Sequence, residues 1–277
     1  MGVHVSEHQF LPASRSAAEV WRPWVVAIAR AGYAARGLVY LLVGGLALLS
    51  ASGRHGGKSD QKDAFESLLA APAGAVLLAV LAGGLICFAI WRSIQAVLDT
   101  DGHGKDGKGL IIRGGFLCGA VTQVAMAIAA LRIESGEASH EDGTRHWSAW
   151  LLSEPLGRWM LAIVAAGIFG AGVAHAARAI RRTYEKWLGV NPDTMKKLRW
   201  LFQFGLLARG LVFCMIGSFL AYAAWTYDHT RAGGLAAVFD KVRSQPFGLM
   251  MLALLAGGLF AFGLYGLAQA WWRRMDG

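Results

Sequence analysis

Gly32-Tyr33-Ala34-Ala35-Arg36-Gly37 lies inside an apolar run, and its last triplet has two counterparts in runs of the same kind, Ile112-Arg113-Gly114 and Ala208-Arg209-Gly210. Each run leads to a polar segment, then to a proline and glycine pair (Pro72/Gly74, Pro155/Gly157, Pro246/Gly248), then to a second apolar run. Three copies of a two-helix unit account for this order. Gly83-Gly84, Ala166-Gly167 and Gly257-Gly258 share one offset from the prolines, and Gln95, Arg178 and Gln269 share a later one. Small residues recurring at fixed offsets let helices approach closely in lipid. The repeat therefore specifies packing as well as hydrophobicity.

Composition places the chain in the membrane class. Hydrophobic residues make up 55% of 277 positions and charged ones 16%, against about 25% charged in a soluble domain. The apolar runs are long enough to cross a bilayer. The formal charge of +9 does not point to nucleic acid, because the basic residues gather in alternate loops and form no stripe interleaved with aromatics. Cys87, Cys118 and Cys214 all fall in apolar runs without a CxxC spacing, which reads as small buried hydrophobes. Glu7, Glu19, Trp21 and Trp24 precede the first run in place of a cleavable leader, so the first helix is expected to act as its own insertion signal.

Taken in order, residues 1–22 form a polar arm and the first span covers about Val25–Ser50. Phe65, Leu68 and Leu69 suit a helical turn at the interface, and Pro72 is expected at the first turn of helix 2, which runs to Leu98. A glycine-rich link, 99–108, precedes helix 3 at Gly109–Leu131. The acidic loop 132–154 ends in an interfacial pattern (Trp147, Trp150, Leu151, Leu152), and helix 4 runs from Pro155 to Ile180. The link 181–199 is strongly basic, and Asn191-Pro192-Asp193 is expected to break it ahead of helix 5, Trp200–Trp225. Leu235–Val242 is the third interfacial segment, and Pro246 opens helix 6, closed by Trp271-Trp272-Arg273-Arg274. The repeats so drawn are 23–100, 101–182 and 200–277. Each holds an even number of helices, so all insert with one polarity, as parallel repeats about an axis along the membrane normal. The expected fold is an all-α polytopic bundle of six transmembrane helices with pseudo-threefold symmetry. The basic 181–199 link decides its orientation, with both termini cytoplasmic.

This pattern resembles a bacterial membrane-protein family catalogued only as a domain of unknown function, built from three two-helix repeats. The resemblance rests on Gly32, Tyr33, Ala35, Arg36 and Gly37 in the first unit and on Ala208, Arg209 and Gly210 in the third. It spans about Ala29–Arg274. The middle unit departs from it at Ile112 and Gly115. The resemblance implies a bacterial inner-membrane location and supplies no activity, substrate or site residue.

Arg36, Arg113 and Arg209 have the best claim to function. An arginine at a span centre costs about 2.5–3.5 kcal/mol on insertion scales, and Arg209 lies roughly 12 Å along its helix. One reading is a ring of guanidinium groups, with Gln95, Arg178 and Gln269 as neighbours, that takes an anion or an acidic lipid headgroup. The simpler reading is that each arginine bonds backbone carbonyls across its helix pair or reaches to the interface. His175 is a further polar group in a span, more ordinarily hydrogen-bonded to a neighbour than a proton relay. His140, Glu141, Asp142 and His146 lack a ligand spacing and read as a solvated loop. Gly115 and Gly119 read as helix packing, and no nucleophile, phosphate loop or cofactor motif is present. The expectation is a non-catalytic scaffold or accessory protein, with a conduit or transporter for a small anion or acidic lipid as the alternative. Its expected partners are the lipid bilayer, anionic lipid along the 181–199 link and a partner protein, with no cofactor and no nucleic acid.

Overall fold

The computed structural model describes residues 17–52, 66–135 and 143–273. Helix α1 (Ala17–Ala51) is followed by α2 (Gly74–Leu98), α3 (Gly107–Glu134), the short α4 (Gly143–Ser153), α5 (Gly157–Ile180), α6 (Pro192–Thr226), the short α7 (Leu235–Arg243) and α8 (Gly248–Trp272). Six of these, all but α4 and α7, are long and apolar enough to cross a bilayer. Exposed tryptophans mark two levels. Trp24, Trp200 and Trp271 ring the end that carries the 99–106 and 181–191 links, and Trp150, Trp159 and Trp225 ring the other. Such belts sit at the two faces of a membrane.

Several boundaries differ from the sequence expectation, each for a local reason. The prolines do not start helices. Ala71-Pro72-Ala73-Gly74, Glu154-Pro155-Leu156-Gly157 and Gln245-Pro246-Phe247-Gly248 are tight turns closed by a glycine N–H donating to the first residue's carbonyl at 2.8, 2.9 and 2.8 Å. Their third residues are left-handed (φ 58°, 67° and 60°), the geometry of a type II turn with proline second. The glycine that follows is required because a Cβ there would run into a carbonyl of the preceding interfacial segment: Leu69, Leu151 or Arg243. Asn191-Pro192-Asp193 begins helix α6 instead of breaking the link before it. The Asn191 side chain accepts from the Asp193 amide at 3.0 Å and Pro192 takes the first helical position, where no N–H is needed. The cysteines are not buried: Cys118 is exposed and Cys87 and Cys214 are half-exposed.

The helices pack mainly between units. α2 lies on α3, α5 on α6, and α8 on α1, the cyclic relation expected of a pseudo-threefold bundle. Within units the pairing is unequal. α1 packs on α2 and α6 on α8, but α3 and α5, the two helices of the middle unit, form no packed interface among the described residues. The small-residue code explains the difference. A methyl added to Gly84 would overlap the side chain of Ala35, and one added to Gly258 would overlap Ala208. The position before the arginine is Ile112 in the middle unit, too bulky for that approach, and nothing lies within 4 Å of a Cβ at Gly167. Gly115 and Gly119 are equally free of neighbours, so that GxxxG pair packs no helix here.

Gly84→Leu or Gly258→Leu is expected to lower unfolding stability by about 1–3 kcal/mol through overpacking. Gly167→Leu is expected to stay within about 0.5 kcal/mol of the parent chain. Parallel denaturation of the three variants in detergent checks this; an equal cost for Gly167→Leu would show that the middle unit is packed like its neighbours.

Candidate functional site

The helix crossings bring arginines and aromatic rings into alternation. The Arg209 guanidinium on α6 lies over Phe213, Phe262 and Tyr40 with its carbon 4.5, 4.6 and 4.7 Å from the ring centres. Phe262 on α8 also meets Arg36 of α1 at 5.2 Å, and Arg36 lies over Phe88 of α2 at 4.8 Å. Phe88 in turn meets Arg92 at 5.0 Å, and Arg92 lies over Phe116 of α3 at 4.8 Å. Phe88 and Phe262 hold the same place in their units, sixteen residues after the proline, where the middle unit has Ala171. The first-helix arginine and second-helix phenylalanine thus form a pair in units one and three. The middle unit has lost the ring.

Its arginine goes elsewhere. Arg113 donates through Nε to the Ala96 carbonyl at 2.6 Å and through Nη2 to the Val97 carbonyl at 3.0 Å. Nη1 reaches the Gly104 carbonyl at 3.5 Å. It closes the end of α2, where free carbonyls favour a cation. Arg113 thus follows the simpler of the two sequence readings, bonding backbone carbonyls of a neighbouring helix, and of the three arginines only Arg36 and Arg209 come together, with Arg92 joining them from α2.

Polar partners are few. Arg36 Nη2 donates to Gln269 Oε1 at 3.1 Å, and Arg209 Nε to His175 Nε2 at 3.3 Å. An imidazole accepting at Nε2 carries its proton on Nδ1, so His175 acts as a neutral acceptor, its ring edge against Phe213 and Phe262. Arg92 Nη1 donates to Gln95 Oε1 at 3.1 Å, and Gln95 Nε2 to Asp101 Oδ2 at 2.9 Å. Asp101 also accepts from Arg273 Nη2 at 3.3 Å, whose guanidinium lies over Tyr33 and Trp187. Asp99 shapes this turn. The amides of His103 and Gly104 donate to its carboxylate at 2.8 and 2.6 Å, with the His103 bond the larger influence holding its pKa below the ordinary value. The C-terminal end is tied to the basic link by the Gly189 amide, which donates to the Trp272 carbonyl at 2.7 Å. Arg178 is exposed in the last turn of α5.

The resulting charge balance is one-sided. Among the described residues, no ion pair reaches Arg36, Arg92 or Arg209, and Asp101 serves Arg273. Arg36 is 6% exposed and Arg209 9%, yet Arg36 Nε and Arg209 Nη1 have no hydrogen-bond partner among the described residues. Sequence reasoning missed Arg92, Phe88, Phe262, Asp101 and Arg273. The shared offset of Phe88 and Phe262 was the available signal. At the basic link, an open pocket of about 430 Å³ is lined by Lys186, Lys196 and Arg199, with Arg199 held by Glu185 at 3.0 Å. Among the described residues no group of His, Cys, Asp and Glu is arranged to hold a metal; of the acidic-loop candidates, His140, Glu141 and Asp142 lie outside those residues.

The family described as Domain of Unknown Function (DUF1206) matches three stretches, residues 31–99, 114–182 and 204–273, one for each unit. The chain belongs to the DUF1206 family. It is 31% identical over 261 residues to the uncharacterized protein YxxB of Bacillus subtilis (strain 168), covering 92% of this chain and 93% of that protein. No solved structure matches it. Within this DUF1206 chain, the arginine–phenylalanine pair is what units one and three share and the middle unit lacks.

If Phe262 separates two buried cations, Phe262→Leu costs more in the parent chain than in an Arg209→Gln background. The expected coupling is about 1–2 kcal/mol, the worth of a desolvated cation–π contact. A double-mutant unfolding cycle measures it, and simple additivity would contradict the alternating stack.

Proposed function

We propose that this is a non-catalytic protein of the bacterial inner membrane, with both termini cytoplasmic, that holds an oxyanion at the Arg36–Arg209 cluster. The observation that carries this reading is the pair of buried guanidinium groups with unpartnered N–H donors, Arg36 Nε and Arg209 Nη1, in a cluster whose carboxylate is already taken by Arg273. A buried donor without a partner costs about 1–3 kcal/mol, more when charged. A phosphate or sulfate oxygen meets both needs, charge and hydrogen bond, at once. The rings support a resident anion over a passing one. Phe262 and Phe88 lie between successive guanidinium groups, so an anion hopping from one to the next would cross aromatic faces, whose negative potential repels it. The orientation follows from the basic 181–199 link, which favours the cytoplasmic, anionic leaflet surface.

Inorganic phosphate, exchanged for chloride at constant ionic strength, is expected to raise the thermal midpoint of the purified chain. At a hundredfold excess over Kd the gain is about 2.7 kcal/mol. The Arg36→Gln/Arg209→Gln variant should show no such gain. An equal rise in both proteins, or none in the parent, would contradict the reading.

A further inference from the structure

The open seam between α3 and α5 meets the arginine cluster at the end that carries the chain links. The alternating stack begins on α3 with Phe116 and finishes on α5 with His175, which accepts from Arg209. Both ends of the stack therefore stand on the helices that border the seam. Arg92 reaches this end of α3 through its contact with Phe116, and the exposed Arg178 stands in the last turn of α5. From there toward the opposite face the α5 border is small and apolar. Gly167, whose counterparts Gly84 and Gly258 meet Ala35 and Ala208, has nothing within 4 Å of an added Cβ, and neither has Gly170 one turn on. A cationic mouth opening on an apolar furrow that runs along the membrane normal has the form of an amphiphile turned inside out.

Resting on the proposed oxyanion site, we infer that its ligand is an anionic phospholipid, with the phosphate at the cluster and an acyl chain laid between α3 and α5. Charge complementarity selects this occupant. A zwitterionic headgroup brings its own cation to a site that already holds uncompensated arginines, whereas a phosphate monoester or diester brings only negative charge. A free phosphate would satisfy the donors and leave the furrow unfilled. A lipid fills both, and the furrow opens to the bilayer in which that lipid is already concentrated.

Native mass spectrometry of the full chain tests this. Phosphatidylglycerol and phosphatidylcholine of identical acyl chains are added in mild detergent, with the phosphate-dependent thermal shift recorded on the same samples. The expected result is one phosphatidylglycerol retained per chain, about tenfold preferred over phosphatidylcholine, a difference of about 1.4 kcal/mol. Gly167→Leu/Ala171→Leu, which fills the furrow, should lose about tenfold in lipid retention and keep the phosphate shift; Gly167→Val should lie between. Retention unchanged in both furrow variants, equal binding of the two lipids, or a lipid-free dimer that the furrow variants abolish would overturn the inference and leave the oxyanion site standing. If Arg36→Gln/Arg209→Gln retains both the phosphate shift and the lipid, the oxyanion reading itself is what fails. A furrow variant that loses the phosphate shift along with the lipid shows that the two are inseparable, and that too overturns the separate role of the seam.

Discussion

Cations buried at membrane depth must be stabilised by whatever the helices can supply, and here the supply is mainly aromatic. A guanidinium at a span centre costs about 2.5–3.5 kcal/mol, and a desolvated cation–π contact returns up to about 2. Arg209 meets three rings and His175, and Arg36 meets three rings and Gln269. These contacts are of the size needed to hold each side chain inside. They satisfy the faces of the guanidinium planes better than their edges, and the edges are where unpartnered N–H groups remain. Burial and the unpartnered donors thus come from the same arrangement.

The rings reach the arginines only because the helices approach closely, and glycine sets that approach. Gly84 against Ala35 and Gly258 against Ala208 bring α2 to α1 and α8 to α6. In the middle unit three changes go together. Ile112 stands where alanine is needed, Ala171 replaces the phenylalanine, and Arg113 turns to the carbonyls closing α2. Once the two helices are apart, neither a ring nor an inward arginine has a counterpart to meet. The asymmetry that opens the seam is two substitutions in sequence, Ile112 and Ala171, and one reoriented arginine in packing.

The repeat and the six spans were legible because they depend on periodicity and on fixed offsets of small residues. The turns were less so. Pro72, Pro155 and Pro246 suit a first helical turn and the second place of a type II turn equally well, and only the left-handed residue after each proline decides. At the site, the importance of Arg36 and Arg209 was legible from their depth in apolar runs. Arg113 carries the same signal and behaves differently, because its fate depends on the missing ring across the hairpin. Arg92, Asp101 and Arg273 were not legible, since their roles arise where a link and the chain's end fold back onto the bundle. His175 was found as a polar residue in a span, and its part as an acceptor for Arg209 could come only from the crossing of α5 and α6.

The most direct measurement is a cryo-electron microscopy map of the full chain in a nanodisc of its native lipids. The account predicts non-protein density within about 2.7–3.2 Å of Arg36 Nε or Arg209 Nη1, with Phe262 lying between the two guanidinium groups. A protein carboxylate pairing those arginines, or side chains swung out to the membrane surface, would contradict it.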